Sequence, residues 1–274
     1  MVIDAFVDDR ILPMISLKNN VVFITGASSG IGAACAVRFA KEGASLLLAA
    51  RRIERLDAFA EGLGKNYAVR VKTLHLDVRR RKDVENALEA LPEAWQEISV
   101  LVNNAGLSSG LAAIQEGDVD DWEKMIDTNI KGLLYVTRSV VPGMIRRGKG
   151  HIINIGSIAG DQFYPKGNVY CATKAAVTAL TNTLRLDLNG SGIRVSTVNP
   201  GLVETEFSIV RFHGDKVRAD KTYEGMTPLT GDDVADAVVY CATRSPHVNI
   251  QQVVLTPTDQ ASTTIVHRRQ AASA

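Results

Sequence analysis

The sequence of 274 residues lacks the features that mark several large classes of protein. It contains three cysteines, at positions 35, 171 and 241, and no C-x-x-C pair. A disulfide framework is therefore not expected. The cysteines are expected to be reduced thiols in a cytoplasmic protein. The five histidines show none of the spacings typical of metal ligands, so no metal site is predicted.

The charge is balanced, and long apolar runs are missing. The net charge of +1 gives no basic field of the kind that attracts nucleic acid, and no block of like charge indicates a disordered tail. No stretch has the length needed to span a membrane. Because Asp4, Asp8 and Asp9 crowd the N-terminus, a signal peptide is not expected there.

What the sequence does contain is an alternation of apolar runs with helical patterns. The first run, from Val21 to Ile24, is continuously apolar, as expected of a strand covered on both faces. The alternation predicts an α/β fold, a single doubly wound parallel sheet (Rossmann) flanked by helices on both faces. The predicted organisation is an N-terminal extension at 1–19, one domain at 20–256 with a loop-like insertion at 202–228, and a C-terminal tail at 257–274.

A glycine-rich turn joins the first strand to the first helix, with the spacing G-x-x-x-G-x-G. Gly26 permits a sharp turn, Gly30 lets the backbone approach a pyrophosphate, and Gly32 lets the helix pack closely on the strand. The free N–H groups and the dipole of the helix favour phosphate at this position. The alternative is a turn that only connects the two elements, but the strand–turn–helix context favours a dinucleotide.

The end of the second strand predicts which dinucleotide binds. An NAD-binding fold usually carries an acidic residue there for the ribose 2′-hydroxyl, whereas this chain has Ala50, Arg51 and Arg52. Guanidinium groups favour a 2′-phosphate, so NADP is the predicted cofactor. The alternative is that the two arginines only begin an exposed helix and bind no phosphate. At the next strand end, Asp77 either bonds the adenine amino group or caps the following helix.

Ser157, Tyr170 and Lys174 together form a candidate proton-transfer group. Tyr170 and Lys174 are four residues apart at the start of an apolar helix and so share one face. A nearby ammonium is expected to lower the tyrosine pKa, which suits an acid and base near neutral pH. Ser157 ends a buried strand, where its hydroxyl can polarise a carbonyl. Each feature alone has a simpler explanation, a surface helix face or a helix cap.

These motifs, taken in order, resemble those of the short-chain dehydrogenase/reductase family. The shared residues are Thr25-Gly26-x-x-x-Gly30-Ile31-Gly32, Asp77, Asn103-Asn104-Ala105-Gly106, Asn129, Ser157, Tyr170-x-x-x-Lys174 and Pro200-Gly201-x-x-x-Thr205. The resemblance covers roughly residues 20–256. It implies an NADP-dependent enzyme acting on CH–OH groups, and commonly a homotetramer formed through the long helices around 129 and 175.

The resemblance also implies individual roles. Tyr170 is the expected acid and base, Lys174 holds the nicotinamide ribose, and Ser157 orients the substrate carbonyl. Asn129, in a helical region predicted over 118–147, is expected to hold a water molecule in the proton relay. The implied cofactor-binding residues are Gly26, Ser28, Ser29, Gly30, Ile31, Gly32, Arg51, Arg52, Asp77, Val78, Asn104, Ala105, Gly106, Tyr170, Lys174, Pro200, Gly201, Val203 and Thr205.

Further motifs are similar to the NADP-dependent serine and 3-hydroxy acid dehydrogenases, a group that includes L-allo-threonine dehydrogenase. They include Asp121-Trp122-Glu123 and the stretch from Glu206 to Asp215. This implies small substrates such as serine, allo-threonine and 3-hydroxypropionate or malonic semialdehyde, with Arg211 predicted to bind the carboxylate. The alternative for Arg211 is an ion pair with Asp215 or Glu206. The alternative functions are reduction of a bulkier ketone or acyl substrate and, last, a non-catalytic NADP-binding sensor.

Overall fold

The computed structural model describes residues 15–269. Seven strands form one parallel sheet in the order β3-β2-β1-β4-β5-β6-β7. The strands are β1 Val21–Thr25, β2 Ser45–Ala50, β3 Val71–His75, β4 Ile98–Asn103, β5 Gly150–Ile155, β6 Ile193–Pro200 and β7 Gln252–Leu255. The predicted fold class is confirmed.

Helices cover both faces of the sheet. The α-helices are α1 Gly30–Lys41, α2 Ile53–Tyr67, α3 Arg81–Glu89, α4 Glu93–Gln96, α5 Val119–Ile126, α6 Leu133–Arg147, α7 Asn168–Asp187, α8 Phe207–Arg211, α9 Lys216–Lys221 and α10 Gly231–Thr243. The region predicted as one long helix over 118–147 is divided by a π-helical segment, Asp127–Gly132. Single π-helical turns are rare and occur often at functional sites.

Alternation along β1 distributes its side chains between two apolar cores. Val22 and Ile24 point to the core shared with α1, α2 and α10. Val21 and Phe23 point to the opposite core, shared with α3 and α6. All five residues of β1 are buried, as the continuous apolar run predicts for a strand covered on both faces.

The strand order places a cleft at the carboxyl ends of β1 and β4. The chain runs from β1 outward to β3 and then returns to the other side of β1 through β4. Connections leaving these two neighbouring strands diverge, and this divergence opens a crevice where α/β sheets bind ligands.

The segments outside the central alternation differ from the simple expectation. The stretch 202–228 is not a plain loop, because α8 and α9 lie within it. Helices of five and six residues are too short to give a readable period. Of the predicted N-terminal extension, residues 1–14 lie outside the described residues, whereas Leu17 is buried in the core.

The predicted tail also packs on the body of the protein. The Gln260 side chain is buried and accepts a hydrogen bond from the Leu202 backbone N–H at 2.8 Å. Asp259 accepts one from the Thr227 N–H at 2.9 Å. Residues 257–269 therefore support the segment 202–228, which forms one side of the cleft.

Candidate active site

The cleft at the switch point has a volume of about 480 Å³. It extends from the glycine-rich turn and the end of β2 to the start of α7 and to α8. Nearly every residue predicted for the site lines it, and the two exceptions are Gly32 and Asn129. The topology thus brings together residues that are scattered along the sequence from Gly26 to Arg211.

The glycine-rich turn has the conformation that its sequence predicts. Gly26 and Gly30 have φ angles of +66° and +53°, a region that side chains with a Cβ rarely adopt. A Cβ on Gly32 would lie 2.4 Å from the Gly26 carbonyl oxygen, so close packing at the base of α1 requires glycine. No acidic residue occupies the first turn of α1. Its N–H groups and dipole are therefore available to a phosphate.

The two arginines after β2 line the cleft, and Arg52 reaches this turn but already has partners. Its guanidinium donates to the Ser29 hydroxyl at 2.8 Å and to the Glu206 carboxylate at 3.0 Å. Arg55 bonds the other oxygen of Glu206 at 2.5 Å. A 2′-phosphate bound by Arg52 would therefore share the guanidinium with Glu206. Arg51 is exposed and lines the same part of the cleft.

Asp77 acts as a local cap and also lines the cleft. Its carboxylate accepts bonds from the backbone N–H of Arg79 at 3.1 Å and from the Arg79 guanidinium. Burial raises the Asp77 pKa, but the Arg79 bonds outweigh this effect and hold the pKa below its ordinary value. The nearby Thr128 hydroxyl, which the sequence did not single out, is buried without a hydrogen-bond partner among the described residues and also lines the cleft.

The fit of a dinucleotide rests on these features together. The positive-φ glycines, the uncapped N-terminus of α1 and the arginines at β2 occupy one end of the cleft. The Thr205 side chain closes on the turn, because a Cβ on Gly30 would lie 3.3 Å from it. An elongated cleft with a phosphate cradle and cations at one end fits NADP.

Ser157, Tyr170 and Lys174 meet at the other end of the cleft. Ser157 follows β5 and accepts a hydrogen bond from the Ala159 N–H at 3.1 Å, so it caps a short 3₁₀ turn as well as lining the cleft. Tyr170 and Lys174 lie in the first two turns of α7 and are buried. The predicted constellation is therefore assembled in space.

The predicted effect of Lys174 on Tyr170 is wrong for this arrangement. The Lys174 ammonium donates to the Ile155 carbonyl at 2.9 Å and lies 6.0 Å from the Tyr170 ring centre. Burial raises the Tyr170 pKa above its ordinary value, although the Ser157 hydroxyl and the Arg211 charge act in the opposite direction. Burial also lowers the Lys174 pKa to about 8. Desolvation outweighs the charge effect that proximity in the sequence suggested.

Asn129 lies beside the site, and both N–H groups of its side-chain amide already donate hydrogen bonds. Its amide oxygen accepts the Leu107 N–H at 2.9 Å. The amide nitrogen donates to the Leu107 carbonyl at 2.8 Å and to the Thr173 hydroxyl at 3.0 Å. Asn129 thus connects the π-helical segment to the loop that follows β4 and to α7. The amide group therefore has no spare donor for the water molecule of the expected relay, although its oxygen accepts only one hydrogen bond from the described residues.

Arg211 is directed toward the catalytic residues. Its guanidinium donates to the Tyr164 hydroxyl at 2.9 Å and lies 6.0 Å from the Tyr170 ring centre. The alternative of an ion pair with Asp215 or Glu206 is wrong. Asp215 instead accepts the Arg218 N–H at the start of α9. Among residues 15–269 no carboxylate forms an ion pair with Arg211, so the guanidinium faces the cleft without a protein counter-charge.

Several lining residues were missed by the sequence reasoning. Tyr164 and Phe207 pack against Tyr170, with the Phe207 ring edge-on to the Tyr170 ring at 5.7 Å, and Tyr223 also lines the cleft. Tyr164 precedes Tyr170 by six residues in a loop with no periodic pattern. No signal in the sequence could have identified these residues, since their place depends on how the loop before α7 and the segment 202–228 fold around the cleft.

Comparison with known proteins identifies the family of this chain. The family model for short chain dehydrogenase matches residues 20–215. The NADP-dependent 3-hydroxy acid dehydrogenase YdfG of Salmonella typhi is 50% identical over 250 residues, which are 90% of this chain and 99% of that protein. Sulfoacetaldehyde reductase 2 of Chromohalobacter salexigens is 48% identical over 89% of this chain and 96% of its own.

A solved structure shows the same architecture. The closed form of serine dehydrogenase complexed with NADP⁺ superimposes with a TM-score of 0.85 at 46% identity, covering 91% of this chain and 100% of that one. Within residues 15–269, no helix is both long and apolar enough to cross a membrane. From the family match and the shared fold, this chain belongs to the short-chain dehydrogenase family.

Proposed function

We propose that this chain is an NADP-dependent dehydrogenase of small 3-hydroxy acids, working reversibly between the 3-hydroxyl and the 3-oxo group. The family and the NADP-dependent relatives make it an oxidoreductase that acts on CH–OH groups and uses NADP. The candidate substrates are serine, allo-threonine and 3-hydroxypropionate with its product malonic semialdehyde. The observation that carries the substrate class is the Arg211 guanidinium beside Tyr170, which forms no ion pair within residues 15–269.

Within this proposal each catalytic side chain has one task. When bound, NADP supplies the hydride acceptor or donor and, in its oxidised form, a positive charge on the nicotinamide ring. Tyr170 exchanges the proton of the substrate hydroxyl, and Ser157 orients the oxygen by hydrogen bonding. The raised pKa of Tyr170 favours its neutral form, which donates a proton in the reductive direction.

Residues on both sides of this centre are assigned to the cofactor. Lys174 is assigned to the nicotinamide ribose and Thr205 to the carboxamide, while Arg51 and Arg52 are assigned to the 2′-phosphate. The sequence-predicted cofactor residues other than Gly32 line one continuous cleft, and this supports the set as a whole. Gly32 contributes through close packing rather than contact.

The anion site is assigned to Arg211 for an electrostatic reason. A substrate carboxylate placed beside Tyr170 leaves water, and an unpaired buried charge is costly. A planar guanidinium can donate to both oxygens of a carboxylate, and its hydrogen bond to the Tyr164 hydroxyl fixes its orientation from the side. The same geometry suits a sulfonate, the anion of the substrate named in the Chromohalobacter relative.

Steady-state kinetics of Arg211→Ala tests this proposal, with Arg211→Lys as the variant that keeps the charge. The substrates are L-serine, L-allo-threonine and 3-hydroxypropionate, compared with 2-butanol as a neutral alcohol, each followed by NADPH absorbance. A hydrogen bond to a charged group contributes about 1.5–3 kcal/mol, so kcat/KM for the acids should fall by about 10- to 150-fold. The value for 2-butanol should change little.

A matched control comes from the same segment. Arg218→Ala removes a guanidinium that stacks on Phe212 at 4.6 Å, outside the cleft lining. It should leave both substrate types unchanged. Equal losses for acids and for 2-butanol in Arg211→Ala, or no loss, would refute the anion assignment.

A homotetramer and a cytoplasmic location are proposed as well. Ile126, Leu134 and Leu186 are exposed apolar side chains on α5, α6 and α7, the helices through which the family resemblance implies pairing. The three cysteines are buried and free, which agrees with a reducing compartment. Light scattering of the purified protein measures the oligomeric state, and a monomer would refute the first proposal.

A further inference from the structure

Asp121 is a buried carboxylate on α5 that the proposed chemistry does not use. Its side chain is 5% exposed, yet it makes three polar contacts. The Ser109 hydroxyl donates to Oδ1 at 2.7 Å, and the Lys124 ammonium lies 3.3 Å from the same oxygen. His213 Nε2 lies 3.0 Å from Oδ2. Burial raises the Asp121 pKa, but these contacts outweigh it and keep the pKa below its ordinary value.

The contacts of Asp121 enclose Arg211 from two sides. On one side, Ser109 precedes Gly110, whose N–H donates to the Arg211 carbonyl at 2.9 Å. The Arg211 Nε returns a bond to the Gly110 carbonyl at 3.4 Å. On the other side, His213 follows Arg211 by two residues. The Asp121 carboxylate therefore contacts both the 109–110 turn, which is hydrogen-bonded to the last residue of α8, and the chain just after α8.

The backbone around the carboxylate is shaped to these contacts. Gly110 has a φ of +72°, and a Cβ there would lie 3.0 Å from Asp121 Oδ2. Only glycine permits the turn to close on the carboxylate in this way. His213 has a φ of +54°, an uncommon conformation for a residue other than glycine. This conformation accompanies the 3.0 Å contact of its Nε2 with Asp121.

We infer that Asp121 is a positioning residue that sets the Arg211 guanidinium over Tyr170 by fastening the 109–110 turn and His213 to α5. This inference rests on the proposed function of Arg211. The two carboxylate oxygens have different partners. Lys124 comes from the same helix and satisfies Oδ1 wherever the segment 202–228 lies. Oδ2 gains its side-chain partner only when His213 is in place, 3.0 Å away, so displacing the segment would leave a buried carboxylate oxygen without that partner.

The kinetic test compares Asp121→Asn and His213→Gln with the parent enzyme. Both variants should raise KM for 3-hydroxypropionate about tenfold, with NADPH affinity and kcat/KM for 2-butanol unchanged. The double variant should be no worse than Asp121→Asn alone, because the two residues act as one contact. Asp120→Asn, an exposed neighbour on the same helix, should match the parent.

Equal losses on the acid and on 2-butanol, or effects of the two single variants that add in the double variant, would overturn the inference. A second measurement is independent of the anion assignment. Hydrogen exchange of the amides in 207–214 should be at least several-fold faster in Asp121→Asn than in Asp120→Asn. Unchanged exchange overturns the inference even where Arg211→Ala behaves as proposed. If Arg211→Ala has no effect on acids but exchange is accelerated, the proposed function fails and the fastening by Asp121 stands.

Discussion

Replacing Lys174 by methionine should inactivate the enzyme and make the fold more stable at neutral pH. Lys174 is buried on α7, and its ammonium bonds the Ile155 carbonyl rather than a carboxylate. Burial without a counter-charge lowers its pKa to about 8. Methionine has a similar length and no charge to desolvate, so it removes the penalty while keeping most of the packing.

The size of the effect follows from the difference in proton affinity. The ordinary lysine pKa is about 10.4, and one pKa unit corresponds to about 1.4 kcal/mol, so the charged form costs the native state about 3 kcal/mol at pH 7. In the variant the Ile155 carbonyl loses its hydrogen-bond donor, and this loss offsets about 1 kcal/mol or more of the gain from removing the charge. The free energy of unfolding should therefore rise by about 1–2 kcal/mol in the variant.

The pH dependence separates the two contributions. Between pH 8 and about 10.4 the unfolded state keeps the Lys174 proton that the native state has released, so the stability of the parent rises with pH. The lost hydrogen bond does not titrate in this way. The advantage of Lys174→Met should therefore shrink by about 2 kcal/mol between pH 7 and pH 10.

Urea unfolding of both proteins at pH 7, 8, 9 and 10 measures this difference. Lys65→Met is the matched control, because Lys65 is an exposed lysine paired with Glu61 on α2. It should give no advantage and no trend. A difference between parent and Lys174→Met that is constant across pH, or that grows with pH, would refute the account of the buried ammonium.

Three further predictions concern the chemistry, the cofactor and the turn. Tyr170→Phe should lower kcat by about 10²–10⁴-fold because it removes the proton-transferring group, with NADPH affinity by fluorescence titration largely retained; near-normal turnover would exclude Tyr170 as the acid and base. Arg51→Ala and Arg52→Ala should each reduce the preference for NADP over NAD in kcat/KM by about tenfold or more, since each removes a charge-assisted phosphate contact; a parent that uses both cofactors equally well would contradict this. Gly30→Ala should cost about 1–2 kcal/mol in thermal unfolding, because its φ of +53° disfavours a Cβ; an unchanged melting temperature would show that the turn relaxes.

The sequence by itself determined the parallel sheet, the position of the cleft at the carboxyl ends of its strands, and the identity of most cleft residues. Continuous apolar runs can be buried on both faces only between layers of helices, and the run at Val21 to Ile24 is found there. Gly26 and Gly30 were predictable because both have a positive φ, which glycine adopts without strain and other residues adopt only at an energetic cost. These inferences rest on local geometry, which spacing along the chain records directly.

Only the tertiary structure decided which charges face one another. The sequence placed Lys174 one turn from Tyr170, yet the ammonium bonds Ile155 and burial sets both pKa values. Arg211 meets Tyr164, and Asp121 meets His213, across elements that are distant in the chain. Desolvation and ion pairing depend on which side chains surround a group in three dimensions, and no pattern of residue spacing carries that information.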